Sequence, residues 1–252
     1  MLGLEFPPIN EVIRWQEVFP TFNKIGLIAV AAAVIASLVF ILASRYDSTR
    51  APKGVRNLAE IIIDFIEDNI VMQTMGRDGM GWTPFLTSLF VFIYLCNVPG
   101  IIPIIQMPAT ARMAIPLFLA LVAWVIYNAV GIKHQGLFHY FKGIMFPPGV
   151  PKPIYLLLTP IELVSTIVVR PFSLAIRLFA NMLAGHMLLV TFSILTKELV
   201  QGDSLVLKPV GILPFAMLVG ITFFEVLVGF LQAYIFTILA AVYIGGAAHP
   251  EH

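Results

Sequence analysis

Residues 155–196 read YLLLTPIELVSTIVVRPFSLAIRLFANMLAGHMLLVTFSILT, and this run decides the fold. It is apolar almost throughout, yet it is much longer than the roughly 20 residues that a helix needs to cross a bilayer. A helix of about 38 residues would reach roughly 57 Å, nearly twice the ~30 Å hydrocarbon core. A tilt near ~20° does not absorb that excess. Because the flanking sequence stays apolar, the run predicts a helix that lies steeply slanted in a membrane.

The composition of the whole chain also indicates a membrane protein. Hydrophobic residues make up 59% of the sequence and charged residues 12%, with a mean hydropathy of +0.94. Soluble domains carry about 25% charged residues, so this chain falls outside the soluble class. A net charge of +1 argues against nucleic acid as a partner. The single cysteine, Cys96, excludes a disulfide framework and a thiolate metal site, and we expect neither metal nor cofactor.

Five apolar stretches are long enough to cross a bilayer as helices. We therefore expect an all-α integral membrane protein that forms a single membrane domain over residues 1–252. Its expected parts are an N-terminal segment at 1–24, spans at 25–44, 84–105 and 113–132, and two long, steeply tilted helices at 155–196 and 210–244. Two such helices side by side would present a long, low surface to a neighbouring protein.

A different kind of segment, at 52–72, separates the first two spans. Its apolar residues recur at helical spacing, and charged residues fill much of the remainder. That pattern predicts an amphipathic helix that lies at the membrane interface or packs on a partner. A second mixed segment, at 131–153, contains lysines, histidines and prolines, and we interpret it as a loop.

Polar residues inside the last two helices are the candidates for function, because charged groups in a bilayer are costly and usually mark ion pathways. The fourth span contains Glu162, Arg170, Arg177, Asn181 and His186, and the fifth contains Glu225 and Gln232.

Arg177 lies near the middle of the fourth span, out of reach of either interface. An arginine stays charged at accessible pH, so Arg177 needs a carboxylate partner. One interpretation is a structural ion pair with Glu162 or Glu225. The other is an exchangeable acidic partner outside the chain, which helical geometry favours. Small and polar residues share the face of Arg177, namely Ser173, Ala180, Asn181 and Ala184, with Arg170 within about 20° of it.

The remaining candidates suggest a proton relay. Glu225 and Gln232 are seven residues apart and line one stripe of the fifth span. His186 points away from Arg177, and a histidine beside a buried glutamate on the next helix can pass a proton. For His186 a plain interhelical hydrogen bond is an equal interpretation. Glu162 is either an access-channel residue or an interfacial anchor.

Three motifs carry a resemblance to a known family. SLAIRLFANMLAG at 173–185, the LQAYIF core of the last span and NVPGIIP from Asn97 are similar, in order and spacing, to the subunit a family of F-type ATP synthases. The resemblance covers roughly residues 25–246. Some bacterial relatives have an acid at the position of His186 and a histidine at that of Glu225. Here the pair is exchanged, which keeps one acid and one imidazole.

The resemblance implies roles for these residues. Arg177 would be the stator arginine that faces the carboxylates of a ring of c subunits, with Arg170 as a second basic residue on the ring-facing side. Residues of the proton pathway, in two aqueous half-channels, would be Glu162, Asn181, His186, Glu225 and Gln232. The implied partners are the c ring, peripheral-stalk b-type subunits, the rest of the complex, membrane lipid and the transported proton. The implied location is the bacterial plasma membrane.

Two other functions are compatible with parts of the pattern. A secondary transporter could bind a small anion with Arg170 and Arg177, although the sequence has no internal repeat of the kind that transporters usually show. A structural scaffold could dock partners on the slanted helices, but it would not require these polar residues within the membrane. The chain has no phosphate-binding glycine loop, so it is not expected to be an enzyme by itself.

Overall fold

In the computed structural model, residues 17–19, 22–44, 54–102, 107–146, 154–201 and 208–248 are described. The strands are β1 (Glu17–Phe19) and β2 (Phe22–Asn23), which pair antiparallel. The helices are α1 (Lys24–Ser44), α2 (Val55–Ile66), α3 (Met72–Thr74), α4 (Thr83–Asn97), α5 (Ala114–Gln135), α6 (Leu137–Met145), α7 (Tyr155–Val164), α8 (Arg170–Gln201) and α9 (Ile212–Ala248). Short 3₁₀ turns occur at Gly76–Trp82, Val98–Gly100, Ala109–Ala111 and Pro209–Gly211, and π-helical turns at Glu67–Val71 and Ser165–Val169.

Five helical segments of the described chain are long and apolar enough to cross a membrane: Lys24–Leu42, Gly76–Gly100, Ala114–Gln135, Leu157–Val200 and Pro209–Ala248. The expectation of an all-α membrane protein with five spans, the last two unusually long, is therefore confirmed. The steep tilt of those two helices stays a prediction.

The helices α8 and α9 form an antiparallel hairpin. Arg170 contacts Tyr243, Gly185 lies against Glu225, and Val200 lies against Gly211. In these three pairs the residue number rises along α8 while it falls along α9. The two helices therefore stay in contact along nearly their whole length.

The helices α4 and α5 pack behind this hairpin, and both contact α9. Their core positions include Leu86, Ile93 and Ala120, which are fully buried and belong to the same apolar cluster as Leu178 and Ala240 of the hairpin. Burial of this apolar surface holds the two layers together, since close packing and helix contacts drive association in a membrane. One face of the hairpin is consequently covered by the chain itself.

A proline and a glycine explain where two of the membrane-spanning helices, α4 and α5, end. The helix α4 ends at Asn97 because Pro99 follows, and proline lacks the N–H group that a continuing helix needs. The predicted second span runs on to residue 105, and its last three residues, 103–105, lie outside the described residues. The helix α5 ends at Gly136, whose φ of 80° is a left-handed conformation that favours glycine.

Two segments differ from the sequence-based interpretation. The amphipathic segment is helical, as expected, but its C-terminal part is a π turn that packs inside the chain, with Ile70 and Val71 at 0% exposure. The interpretation of 131–153 as a loop was wrong for part of its length, because α6 occupies Leu137–Met145. Helix α6 is short and carries charged residues, so its apolar pattern was too brief to be recognised.

Candidate functional site

The outer face of α8 is a continuous stripe of exposed residues. Ser173, Arg177, Ala180, Asn181 and Ala184 are all exposed and recur at spacings of three and four. That spacing places them on one side of the helix, as the sequence geometry indicated. We call these five residues the outer stripe. Except for Arg177 and Asn181 its side chains are small, which lets another helix approach closely.

Arg177 has no acidic partner within the described chain. Both Glu162 and Glu225 are described, and neither lies within 4.0 Å of the Arg177 guanidinium, since the ion pair seen among the described residues is Arg56–Glu60. A structural ion pair between Arg177 and either glutamate is therefore not formed here. A mid-span guanidinium still requires a counter-charge, and its position on the outer stripe makes it accessible to one from a neighbouring protein.

Glu225 is buried where α9 meets α8. It is 3% exposed, and neither of its carboxyl oxygens has a hydrogen-bond partner among the described residues. A Cβ atom on Gly185 would lie 2.7 Å from Glu225 Oε1, so the absence of a side chain at Gly185 makes room for the carboxyl group. His186 follows directly on α8 and is 6% exposed, on the side opposite Arg177. The structure thus places His186 one residue after the Gly185 position that faces Glu225, and each of the two side chains is buried.

Gln232 lies on the same buried stripe of α9 as Glu225. Between them, the backbone carbonyl of Gly229 accepts a hydrogen bond of 3.1 Å from Asn97 Nδ2 of α4. The buried Thr110 hydroxyl donates in turn to Asn97 Oδ1. Asn97 therefore bridges α4 and α9. No local pattern indicated its partner on α9 or the role of Thr110.

Arg170 does not share the surroundings of Arg177, although the two are seven residues apart on one helix. Arg170 is half-buried, and its guanidinium carbon lies 5.4 Å from the centroid of the Tyr243 ring on α9. The ring lies inside the hairpin rather than on the outer stripe. Rotation along the helix fixes where Cβ points but leaves a long side chain free to turn, so the sequence did not predict this contact.

Glu162 lies on α7, before the π turn at Ser165–Val169, and is partly exposed. It stands four residues before Thr166 and eight before Arg170. About 22 Å of helix separate Glu162 from Arg177, at 1.5 Å per residue. The structure therefore does not bring Glu162 together with Arg177, His186 or Glu225.

The polar residues lie at three positions, which we call levels, along the axes of the two hairpin helices. Because Arg170 faces Tyr243 and Gly185 faces Glu225, the intervening Gln232 is level with the part of α8 that holds Arg177 and Asn181. Glu225, which faces Gly185, lies about 12 Å from Arg177 along the hairpin toward one end, counted as eight residues of helix, and His186 lies one residue farther. Arg170 and Glu162 lie toward the other end. Arg177 therefore stands between two separate sets of titratable and charged groups.

Comparison with known proteins identifies relatives of this chain. The family model described as "ATP synthase A chain" matches residues 25–245. That range includes all five predicted spans and every residue of the three levels.

Curated relatives match over most of their length. The chain is 45% identical over 235 residues to a protein of Frankia alni named "ATP synthase subunit a", covering 91% of this chain and 79% of that one. It is 39% identical over 230 residues to the protein of that name from Rhodococcus erythropolis, covering 91% and 83%. It is 36% identical over 251 residues to the one from Pseudarthrobacter chlorophenolicus, covering 97% and 93%.

Proposed function

The chain belongs to the ATP synthase A chain family, and from that premise we propose that it is the proton-conducting stator of a rotary ATP synthase motor. As a member of that family it is a multi-pass protein of the bacterial plasma membrane and a component of the ATP synthase complex. In the proposed role, Arg177 couples the flow of protons to the rotation of a ring of c subunits. ATP chemistry would take place on other subunits.

One observation carries this proposal: Arg177 is exposed on the outer stripe without a carboxylate of the described chain within 4.0 Å. A permanent cation at mid-membrane is stable only with an anion nearby. The small neighbours on the stripe let a ring helix come close enough to supply a carboxylate. A partner that moves past can be exchanged, whereas a fixed internal ion pair could not.

The levels of the hairpin support two offset half-channels. His186 and Glu225 would serve one of them, and Glu162, on the far side of Arg170, the other. Asn181 and Gln232, level with Arg177, would lie where the two paths come nearest to each other. A proton moving directly between the half-channels would have to pass the fixed charge of Arg177, which repels it.

The mechanism then follows from charge. A ring carboxyl that reaches Arg177 is stabilised in its ionised form, so it releases its proton into one half-channel. After passing Arg177 it takes up a proton from the other half-channel and re-enters the lipid as a neutral group. One charge that crosses ~100 mV contributes about 2.3 kcal/mol, so several protons are needed for each ATP. Peripheral-stalk b-type subunits are the further partners that a stator requires, because it must not turn with the ring.

The test is ATP-driven proton pumping in membrane vesicles that contain the assembled complex. With Arg177→Ala we expect pumping to be abolished while the complex still assembles. Arg112→Ala is the matched control, because Arg112 is an exposed arginine outside the hairpin, and it should leave pumping intact. Pumping at the native rate in the Arg177 variant would show that this charge does not couple transport, and the proposal would then be wrong.

The alternative function, transport of a small anion, would need Arg170 and Arg177 to converge on one substrate. They are turned apart, since Arg170 lies over Tyr243 and Arg177 lies on the outer stripe. Copurification separates the two functions. A stator should bring a ring of small subunits with membrane-embedded carboxyl groups, and an anion transporter should not.

A further inference from the structure

The position of Arg170 needs a physical cause. Seven residues of α-helix rotate by about 700°, so the Cβ atoms of Arg170 and Arg177 point within about 20° of each other. From that starting direction the long, flexible side chain of Arg170 could extend along the outer stripe. It lies instead inside the hairpin, half-buried, beside α9.

The aromatic ring of Tyr243 supplies that cause. A guanidinium within about 6 Å of a ring centroid is attracted by the negative face of the ring, and more strongly where water is excluded. The distance here is 5.4 Å. No carboxylate of the described residues lies within 4.0 Å of Arg170, so no ion pair within that part of the chain competes for its direction.

A second tyrosine fixes the backbone just before Arg170. The π turn at Ser165–Val169 ends at Arg170, and the hydroxyl of Tyr127 on α5 donates a hydrogen bond of 2.9 Å to the carbonyl of Thr166 within it. The rings of Tyr127 and Tyr243 also contact each other, with centroids 5.6 Å apart. A π turn widens the helix and changes the rotation of the residues after it. Holding this turn therefore sets the direction from which the Arg170 side chain leaves α8.

The positive charge of Arg170 also acts on a third tyrosine, Tyr140. Burial raises the pKa of Tyr140, on α6 outside the spans, and the positive charge of Arg170 offsets part of that rise. The Tyr140 hydroxyl donates to Asn128 Oδ1 of α5 at 3.0 Å. The charge of Arg170 thus acts on Tyr140 of α6 as well as on the ring of Tyr243 on α9.

We propose that Tyr243 and Tyr127 are positioning residues that hold the Arg170 guanidinium inside the hairpin and so keep the outer stripe free of a second cation. The inference rests on the proposed coupling role of Arg177. A released Arg170 would lie about 10 Å of helix from Arg177 on the same side and would attract ring carboxylates as well. A carboxylate held there would delay its protonation and slow the turning of the ring.

The first experiment varies only the electrostatics of the ring at position 243. Phenylalanine and its mono-, di- and trifluorinated analogues, placed there by nonsense suppression, have nearly equal size but a progressively weaker negative face. With equal amounts of assembled complex in vesicles, we expect the ATP-driven pumping rate to fall stepwise, to about one third or less with three fluorines. If the aromatic side chain at position 243 acts only through its size and shape, the pumping rates will be equal along the series. That result would overturn the proposal.

The second experiment tests whether Arg170 causes the defect. Tyr243→Leu and Tyr127→Phe should each slow pumping, because one removes the ring and the other removes the hydroxyl that holds the π turn. Adding Arg170→Gln to either variant should restore part of the lost rate, since no second cation is then present. Double variants that pump no faster than the single variants would contradict the proposal.

The Arg177→Ala variant in the same vesicles separates the two proposals. If it abolishes pumping and the fluorinated series is flat, the coupling role stands and the positioning role is wrong. If Arg177→Ala pumps at the native rate, the coupling role fails and the positioning role fails with it.

Discussion

The end of the α8–α9 hairpin near Tyr243 and the middle of the hairpin differ in how they satisfy buried polar groups. At the end near Tyr243, the side chains of Tyr127 and Gln135 donate hydrogen bonds of 2.9 Å to backbone carbonyls of facing elements. In the middle of the hairpin, where Gly185 faces Glu225, the Glu225 carboxyl group is buried without a hydrogen-bond partner among the described residues. Buried polar groups are normally satisfied, so an unsatisfied carboxyl group inside a membrane indicates a functional site. We therefore expect the end near Tyr243 to anchor the hairpin and the middle to handle the proton.

The largest effect should come from Glu225→Gln. The amide has nearly the same size but cannot take up or release a proton, so we expect pumping and passive proton flux to fall by about 100-fold or more. In vesicles with the complete complex, ATP-driven proton flux measures pumping. After removal of the ATP-hydrolysing subunits, the remaining proton flux measures passive conduction. Glu198→Gln is the matched control, because Glu198 is an exposed glutamate near the end of α8. Nearly native flux in the Glu225 variant would remove this carboxyl group from the proton path.

A smaller effect is expected when the space for the Glu225 carboxyl group is filled. In Gly185→Ala the new Cβ would lie 2.7 Å from Oε1, so the carboxyl group must move. Overpacking of this kind costs about 1–3 kcal/mol, and we expect pumping to slow by about tenfold. Gly220→Ala on α9 is the control, since nothing lies within 4 Å of a Cβ atom there. If the two alanine variants pump equally, the function of the Glu225 carboxyl group does not depend on the space left by Gly185.

The smallest effect on transport should appear at the anchoring end. Gln135→Leu removes the hydrogen bond to the Ala247 carbonyl, and we expect a loss of about 1 kcal/mol of stability with pumping within about twofold of native. Thermal dissociation of the purified complex measures the stability. Gln73→Leu, at an exposed glutamine, should change neither property. A severe pumping defect with unchanged stability in the Gln135 variant would contradict the assignment of an anchoring role to the end near Tyr243.

Most of the fold could be predicted from hydropathy because each span is long and apolar. The helices α1 and α5 begin and end within three residues of the predicted spans. The two π turns could not be predicted. Each contains a carbonyl that accepts a hydrogen bond from a tyrosine of another helix, Thr166 from Tyr127 and Asn69 from Tyr234. Such a bond joins residues far apart in the sequence, and no local pattern reveals it.

The candidate site was predictable where it depends on helical rotation alone. Rotation indicated the outer stripe around Arg177 and the opposite direction of His186. It did not reveal that Gly185 makes room for Glu225, or that Arg170 turns to Tyr243. Those contacts depend on how far α8 and α9 slide past each other, which the sequence does not encode in any local pattern. Whether each candidate acts in proton transfer stays a prediction.

The helix α9 is joined to other elements by hydrogen bonds at three positions along its length. Asn97 of α4 holds the Gly229 carbonyl, the Tyr234 hydroxyl donates to the Asn69 carbonyl, and Gln135 of α5 holds the Ala247 carbonyl. In the proposed role, a rotating ring that pushes sideways on the hairpin would exert a reaction torque on it. A long helix fastened only at its ends would bow under that load, and the gap between ring and stator would open. Hydrogen bonds at intervals would make α9 resist bending. The sideways force would then pass into the helices packed behind α9.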